Sequence, residues 1–248
     1  MRLLVAVLAC VLVACQARVP NVNEANLSGG VLDTRGGQLV GFLEKFKDKL
    51  RRGDDHLGII PVLDPLKQDH LDVNLDQEAV RLRGYLDNLV ATGLSEYKVN
   101  RGDFTIIGIK ANVSLLWEKI DIAAKYSVNG TLADYISVYG NGNLAISIQG
   151  LMVSVDLKLS VKDKKLFVSQ LVLHARVQKM DCEITGLYND EELSAVLSKA
   201  IGEILPGLID DYQNELSVAA SPLVADLLND VLKNMTIKDL LDMISGGN

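Results

Sequence analysis

The sequence predicts an α+β fold in which an elongated, highly curved antiparallel sheet wraps around one long C-terminal helix. Two patterns lead to this prediction. Alternating apolar and polar residues fill the chain from about residue 73 to 185, and a long run with helical spacing follows them. Alternation of apolar and polar residues is typical of strands with one face exposed to solvent, and apolar residues spaced three and four apart are typical of an amphipathic helix. A sheet with one apolar face needs a cover, and that helix is long enough to provide it.

The clearest strand pattern runs from Leu151 to Val161, where apolar and polar residues alternate. Residues 162–165 predict a turn, and a second strand is predicted from Phe167 to Val177. Long one-faced strands joined by short turns indicate an antiparallel meander. Residues 140–143, Gly-Asn-Gly-Asn, resemble a phosphate-binding loop, but a strand follows them instead of a helix, which favours a hairpin turn.

Helical spacing marks both ends of the chain. A first amphipathic helix is predicted from Gln38 to Leu50, ended by Gly53. The longest helix is predicted from Glu191 to Leu216, with a bend at Pro206, because proline cannot donate the intrahelical hydrogen bond. A shorter amphipathic stretch runs from Pro222 to Met235.

The N-terminus reads as a targeting segment. A basic start is followed by apolar residues from Leu3 to Cys15, which predicts a secretory signal peptide over residues 1–17. Residues 18–37 are predicted to be a flexible leader and residues 38–248 a single domain, secreted and extracellular. The alternative is a bacterial lipoprotein box ending at Cys15. No later stretch is long and apolar enough for a membrane span.

Composition narrows the class of protein. Apolar residues make up 48% of the chain, which is enough for a core, and the net charge of −7 argues against nucleic acid as a partner. Cys10 and Cys15 fall in the signal peptide, so the mature chain would keep Cys182 alone and form no intrachain disulfide. A buried, inert thiol is favoured over a bridge between two chains.

Two kinds of short motif occur. Four glycosylation sequons, at Asn26, Asn112, Asn129 and Asn234, fit a secretory route. Arg-Gly-Asp occurs at residues 52–54 and 101–103. It could serve adhesion from exposed loops, but a glycine that ends a helix or makes a turn is favoured.

The sequence contains no group of residues in a pattern typical of a catalytic site. His56, His70 and His174 lack the spacing of metal ligands. Ser95 and Lys98 match the Ser-x-x-Lys pattern of penicillin-binding enzymes, but the companion motifs are missing. We therefore predict no catalytic residue, no metal and no cofactor.

Residues 58–66, Gly-Ile-Ile-Pro-Val-Leu-Asp-Pro-Leu, resemble a segment of the insect takeout and juvenile-hormone-binding family. The Gly93-Leu94-Ser95 step and residues 186–189 before the long helix are also similar, and group 7 mite allergens share the layout. The resemblance implies the tubular lipid-binding fold of bactericidal/permeability-increasing protein, with an apolar tunnel for one lipid-like molecule. The N-terminal cysteine pair of takeout is missing here, which favours the group 7-like branch over juvenile hormone itself.

The sequence and the resemblance together predict a secreted, non-enzymatic carrier or sensor of a hydrophobic small molecule, such as a fatty acid or isoprenoid. The aromatic content of 5% favours a flexible ligand over a flat polycycle. Apolar residues on one face of the predicted strands and of the long helix are the candidate tunnel lining: Val153, Val155, Leu157, Phe167, Leu171, Leu173, Val196, Leu197, Ile201, Ile204 and Leu208.

An interaction protein is the alternative function. An allergen-like or immune protein would bind lipid aggregates, membranes or a protein partner through its surface. Phe42 and Phe46 of the first helix would make that contact, beside the basic residues between Lys47 and Arg52. The other reading of these two rings is that they cover the open end of the sheet.

Overall fold

A computed structural model describes residues 36–53, 62–77, 80–132 and 135–245. The predicted signal peptide, Asn26, His56 and most of the 58–66 motif lie outside these ranges. Helix α1 spans Gly36–Arg52 and so begins two residues before the predicted domain start. It ends at Gly53 as predicted, since Gly53 has a φ of 77° and its N–H donates to the Lys49 carbonyl at 2.8 Å. Glycine takes this left-handed conformation without steric cost.

Seven strands form one antiparallel sheet, which confirms the predicted α+β class. The strands are β1 Leu66–Gln77, β2 Val80–Thr92, β3 Tyr97–Thr105, β4 Lys110–Leu132, β5 Ile136–Lys162, β6 Lys165–Arg176 and β7 Lys179–Ile184. The long hairpin of β4 and β5 lies at the centre of the sheet. β3 and β2 pair with the first and second halves of β4, β7 and β6 pair with the first and second halves of β5, and β1 pairs with β2.

Three helices follow the sheet: α2 Glu191–Asp211, α3 Gln213–Leu232 and α4 Ile237–Ser245. Pro206 lies within α2, and the helix is interrupted at Tyr212, with φ −107° and ψ 31°. The bend predicted at Pro206 stays a prediction. Pro222, predicted to start a new helix, lies inside α3. Pro222 and Val218 are both exposed, so water can reach the Val218 carbonyl that the proline leaves without an intrahelical partner.

Tight coiling of the sheet depends on glycines. A Cβ on Gly84 would lie 1.9 Å from the Ser127 carbonyl oxygen, and one on Gly130 would lie 1.9 Å from that of Arg81. Only glycine lets neighbouring strands approach so closely. The hairpin turn predicted at residues 140–143 was wrong, since these residues lie inside β5. A Cβ on Gly142 would meet the Thr185 carbonyl at 2.3 Å, so close backbone approach explains this glycine.

Three apolar clusters occupy one face of the sheet, which we call the inner face. The central cluster is built on Ile120, Ile148, Val177, Met180, Ile209 and Leu216. The α4-end cluster is built on Leu39, Phe104, Leu159, Leu166, Leu232, Leu240 and Ile244. The α2-start cluster is built on Leu71, Leu86, Leu89, Ala124, Tyr126 and Leu187.

The Arg-Gly-Asp tripeptide at residues 101–103 lies within β3, paired with β4, and not in a loop or turn. Arg101 Nε donates to Asp103 Oδ2 at 2.6 Å, and a Cβ on Gly102 would lie 2.8 Å from a Val40 methyl group. The glycine therefore lets α1 approach the strand. The other tripeptide extends beyond the described residues at Asp54.

Candidate ligand-binding interior

Small residues on α2 hold this helix close to β7. Ser194, Ser198 and Gly202 are buried, and a Cβ on Gly202 would lie 2.8 Å from the Met180 carbonyl oxygen. Ser198 Oγ accepts a hydrogen bond from the Ile184 N–H at 2.8 Å. Because the side of α2 that contacts β7 carries small side chains, the larger apolar side chains of the helix project from its other sides.

Polar side chains of α3 bond to the outer edge of β6. Ser221 Oγ accepts from the Leu173 N–H at 3.2 Å, and Gln213 bonds to both the N–H and the carbonyl of Ala175. Asn229 Oδ1 accepts from the Val168 N–H at 2.7 Å. An edge strand with free N–H and C=O groups is a site for unwanted pairing, and these contacts cover it. The helix pair therefore borders the inner face along β7 and β6.

One side of α2 carries apolar residues that the β7 contact does not use. Leu197 packs against the α2-start cluster and Leu208 against the central cluster, so this side faces the inner sheet. Ile204 is on the same side and is 56% exposed, and Val196 is 66% exposed. Ile201 is half-buried. The structure thus brings Leu197, Ile201, Ile204 and Leu208 to one apolar side of α2, with Ile204 open. Val196 was wrongly assigned to this side, because it lies about 100° around the helix from Leu197, next to the exposed Lys199 and Glu203.

The predicted sheet residues share the inner face, with one exception. The register pairs Leu157 with Leu171 and Val155 with Leu173. Val153 lies two residues before Val155 on β5 and therefore points to the same face. All five are half-buried, and only Leu157 joins a cluster among the described residues. Apolar side chains that remain incompletely packed on a concave face are the surface that a hydrophobic ligand can cover.

Phe167 is the exception, and its assignment to this face was wrong. The register shifts between Lys158 and Leu159, so Leu159 pairs with Val168 and Ser169 is an extra residue without a register partner, although its hydroxyl donates to the Lys158 carbonyl at 3.0 Å. One extra residue reverses the alternation, and Phe167 falls on the opposite face, exposed.

Sequence reasoning missed residues from two other elements. Leu115 of β4 pairs with Val153, and Val113 pairs with Val155, so both extend the same apolar row. On α3, Leu223 and Val231 are exposed apolar residues. The alternation around Leu115 and the helical spacing around Leu223 were the signals that could have identified them.

Phe42 and Phe46 are both half-buried, which favours the reading that they cover the open end of the sheet, and their contact with a membrane or partner stays a prediction. Phe42 packs against the α4-end cluster, the two ring centroids are 5.7 Å apart, and both side chains are half-buried. Helix α1 covers this end of the sheet because its apolar side meets β3 and α4.

Ser95 and Lys98 are not a catalytic pair. Ser95 is fully buried, and its hydroxyl lies 2.5 Å from Asp64 Oδ2 and 3.0 Å from Arg51 Nε. Lys98 is exposed and its ammonium group bonds to Glu118. Among the described residues, no group of three or more His, Cys, Asp or Glu side chains could hold a metal ion.

Other titratable groups on the described part of the chain fit a structural role. Cys182 is a free, half-buried thiol on β7, and burial raises its pKa to about 11. Burial also raises the pKa of Tyr126, whose hydroxyl donates to the Thr185 carbonyl at 2.8 Å. A thiol with so high a pKa is a poor nucleophile.

Open grooves lie on the outer flanks of the two helices. The groove between α3 and β6 has a volume of about 770 Å³ and is lined by residues such as His174, Val218 and Pro222. The groove between α2 and β7 has a volume of about 660 Å³ and is lined partly by charged residues such as Lys199 and Glu203. Among the predicted lining residues only Leu171 reaches either groove, so both are distinct from the apolar inner side.

A model of the haemolymph juvenile hormone binding protein (JHBP) family matches residues 4–242. The chain belongs to this family. This JHBP-family protein is similar to Takeout 1 of Epiphyas postvittana, with a TM-score of 0.61 and 13% identity over 83% of this chain and 95% of that chain. It is also similar to lipopolysaccharide binding protein, with a TM-score of 0.35 and 16% identity over 79% of this chain and 40% of that chain. A search of curated proteins gave no match.

The family match confirms the resemblance seen in the sequence, and the likeness to Takeout 1 confirms the fold of a curved sheet with long C-terminal helices. Within the described residues of this JHBP-family protein, no helix has the length and apolar character that a membrane span needs.

Proposed function

We propose that this protein is a secreted, non-enzymatic carrier or sensor that binds one hydrophobic small molecule between its helix pair and the inner face of its sheet. One observation carries the proposal. The side of α2 that faces the inner sheet leaves Ile204 open, and the inner face of the sheet carries the incompletely packed row from Val153 to Leu157. The name of the matched family supports the same class of ligand.

The chemistry of this surface favours a flexible aliphatic ligand, such as a fatty acid or an isoprenoid. Its side chains are almost all Val, Leu and Ile, which offer no hydrogen bonds to a polar skeleton. Burial of an apolar ligand contributes about 25 cal/mol per Å² of apolar surface removed from water.

Native mass spectrometry of the secreted protein, followed by organic extraction, tests the proposal directly. We expect a stoichiometric lipid or terpenoid in the extract. Protein of bare mass that also fails to bind a fluorescent fatty acid would contradict the proposal.

A matched pair of variants locates the site. Ile204→Glu places a carboxylate on the inner side of α2, where it would face the bound chain, and should weaken fatty-acid binding by at least about tenfold. Val218→Glu makes the same change on the outer flank of α3, where the side chain is 76% exposed, and should leave binding unchanged. Equal losses in both variants would place the ligand elsewhere. Both side chains are exposed, so both variants should fold.

We also propose cleavage after Ala17 and glycosylation at sequons on exposed segments. Asn129 and Asn234 are exposed, whereas Asn112 is half-buried in β4 and bonds to Asp156. Edman sequencing of the secreted chain should begin at Arg18, and glycosidase treatment should lower its mass. Asn129→Gln and Asn234→Gln should each remove one glycan.

A further inference from the structure

The turn between β3 and β4 has an apolar tip. Residues 106–109 read Ile-Ile-Gly-Ile, and the Ile109 N–H donates to the Ile106 carbonyl at 3.1 Å. Ile109 packs against the α4-end cluster, but Ile106 is exposed and Ile107 is 72% exposed. Gly, Pro, Asn, Asp and Ser dominate turns for conformational reasons that isoleucine does not share. Folding therefore does not account for Ile106 and Ile107, which we call the isoleucine tip.

The backbone holds the isoleucine tip in a fixed position. Gly108 has a φ of 79° and Ile109 a φ of 46°, a left-handed conformation that β-branched residues rarely adopt. Such a conformation persists only where the surroundings impose it. Here the Leu159 N–H of β5 donates to the Ile109 carbonyl at 2.8 Å and anchors the turn. The exposed side chains thus project from a braced turn.

Lysines surround this turn and the adjacent β5–β6 turn. Lys110 pairs directly across the sheet with Lys158, although like charges in that position are unfavourable. Residues 105–110 and 156–166 contain five lysines and two aspartates, in a chain of net charge −7. We call these lysines the lysine collar: Lys110, Lys158, Lys162, Lys164 and Lys165.

The collar is largely free to bind an anion. Lys165 donates to the Asn234 carbonyl, but Lys110, Lys158, Lys162 and Lys164 enter none of the ion pairs of the described residues. Val161, next to Lys162, is a further exposed apolar residue.

We propose that the isoleucine tip and the lysine collar dock this protein on a bilayer that contains anionic lipids. Isoleucine side chains at a turn tip can enter the headgroup boundary while lysines meet lipid phosphates and carboxylates. Each contribution alone gives weak binding, and apolar insertion and basic charge together give stable attachment. Charge complementarity selects the membrane, since the two turns carry a net positive charge in a chain of net charge −7. The proposal does not depend on a bound cargo.

Vesicle co-sedimentation with the full secreted protein tests the tip. We expect binding at low salt to vesicles of phosphatidylcholine with about one-third phosphatidylserine, and much weaker binding to phosphatidylcholine alone. Ile107→Ser should weaken binding by about tenfold or more, because the transferred aliphatic carbons are lost. Tyr135→Ser is the matched control, since Tyr135 is 82% exposed beside the β4–β5 connection at the opposite end of β4.

The collar is tested with Lys158→Gln, Lys162→Gln and Lys164→Gln, combined stepwise. Each should weaken binding by about fivefold at low salt, with the loss shrinking as salt screens the charges. Lys125→Gln, on the distant half of β4, should have no effect. Failure of the wild-type protein to bind anionic vesicles at low salt, or equal effects of Ile107→Ser and Tyr135→Ser, would overturn the proposal. A dimer in sedimentation velocity that Ile107→Ser abolishes, without vesicle binding, would assign the tip to a second copy of the chain and overturn it too.

Discussion

Asp64 and Ser95 are joined by two hydrogen bonds: Asp64 Oδ2 accepts from the Ser95 N–H at 2.8 Å and from the Ser95 hydroxyl at 2.5 Å. Asp64 Oδ1 accepts from the Gly93 N–H at 3.0 Å. Asp64 lies in the Leu-Asp-Pro-Leu motif and Ser95 in the Gly-Leu-Ser step. The two motifs that carry the family resemblance therefore meet in space, where a carboxylate shapes the turn between β2 and β3.

We expect Asp64→Ala to lower the free energy of unfolding by about 1–3 kcal/mol, because it leaves the N–H groups of the turn and the fully buried Ser95 hydroxyl without their acceptor. Urea unfolding followed by circular dichroism measures the change. Asp69→Ala is the control, since Asp69 is an exposed aspartate on neighbouring β1. A loss no larger than that of Asp69→Ala would mean that the carboxylate does not shape the turn.

Substitution of alanine for two glycines of α2 should change the stability of the protein in opposite directions. A Cβ on Gly202 would lie 2.8 Å from the Met180 carbonyl oxygen, so Gly202→Ala should force α2 away from β7 and destabilise the protein by about 1–3 kcal/mol. A Cβ on Gly207 would meet nothing within 4 Å, so Gly207→Ala should stabilise it by up to about 1 kcal/mol through helix propensity. Thermal unfolding of both variants checks the signs. A stabilising Gly202→Ala would show that the α2–β7 contact adjusts easily.

The sequence was sufficient for the architecture because its periodicities persist over long elements. Alternation from Leu151 to Val161 identified part of β5, and spacing after Glu191 identified α2. The periodicity did not reveal two irregularities that each depend on a single residue. The extra residue Ser169 reverses the face of Phe167, and the helix is interrupted at Tyr212, not at Pro206. Helical spacing continues through Tyr212, and Phe167 is as apolar as its neighbours Leu166 and Val168, so periodicity alone identified neither event.

The candidate site was predictable in part for the same reason. Five sheet residues from Val153 to Leu173 keep their shared face because the bulge lies outside the span that pairs them. The docking surface could not be predicted, because it depends on exposure at a turn. Ile107 in sequence looks like any core isoleucine, and only the structure shows that it projects from the β3–β4 turn.

Gln213 protects the edge of β6, and its loss should promote association. Gln213→Ala would leave the N–H and carbonyl of Ala175 without their side-chain partner, which should cost about 1–2 kcal/mol of stability and open the edge to intermolecular pairing. Urea unfolding and light scattering during heating measure the two effects. The neighbouring Asn214→Ala should change neither, since Asn214 is exposed. Unchanged scattering in Gln213→Ala would show that α3 covers the edge without this residue.

His70 on β1 should titrate above its ordinary range. Its Nδ1 lies 2.5 Å from Asp87 Oδ1 and its Nε2 lies 3.2 Å from Asp72 Oδ1, and hydrogen bonding to these carboxylates raises the pKa of the imidazole, with Asp87 the larger cause. NMR titration of the imidazole protons should give a midpoint above the unperturbed value of about 6.5. Asp87→Asn should lower that midpoint more than Asp72→Asn.

The direction of the His70 pKa shift determines how the free energy of unfolding depends on pH. A pKa raised by folding means that the folded state holds the proton more tightly, so the stabilisation is complete below the unfolded pKa and is lost as pH rises through the folded value. His70 is largely solvated, so the effect on unfolding should be small, and the NMR midpoint is the decisive readout. A His70 midpoint at or below about 6.5 would mean that the two carboxylates do not hold the imidazolium in solution.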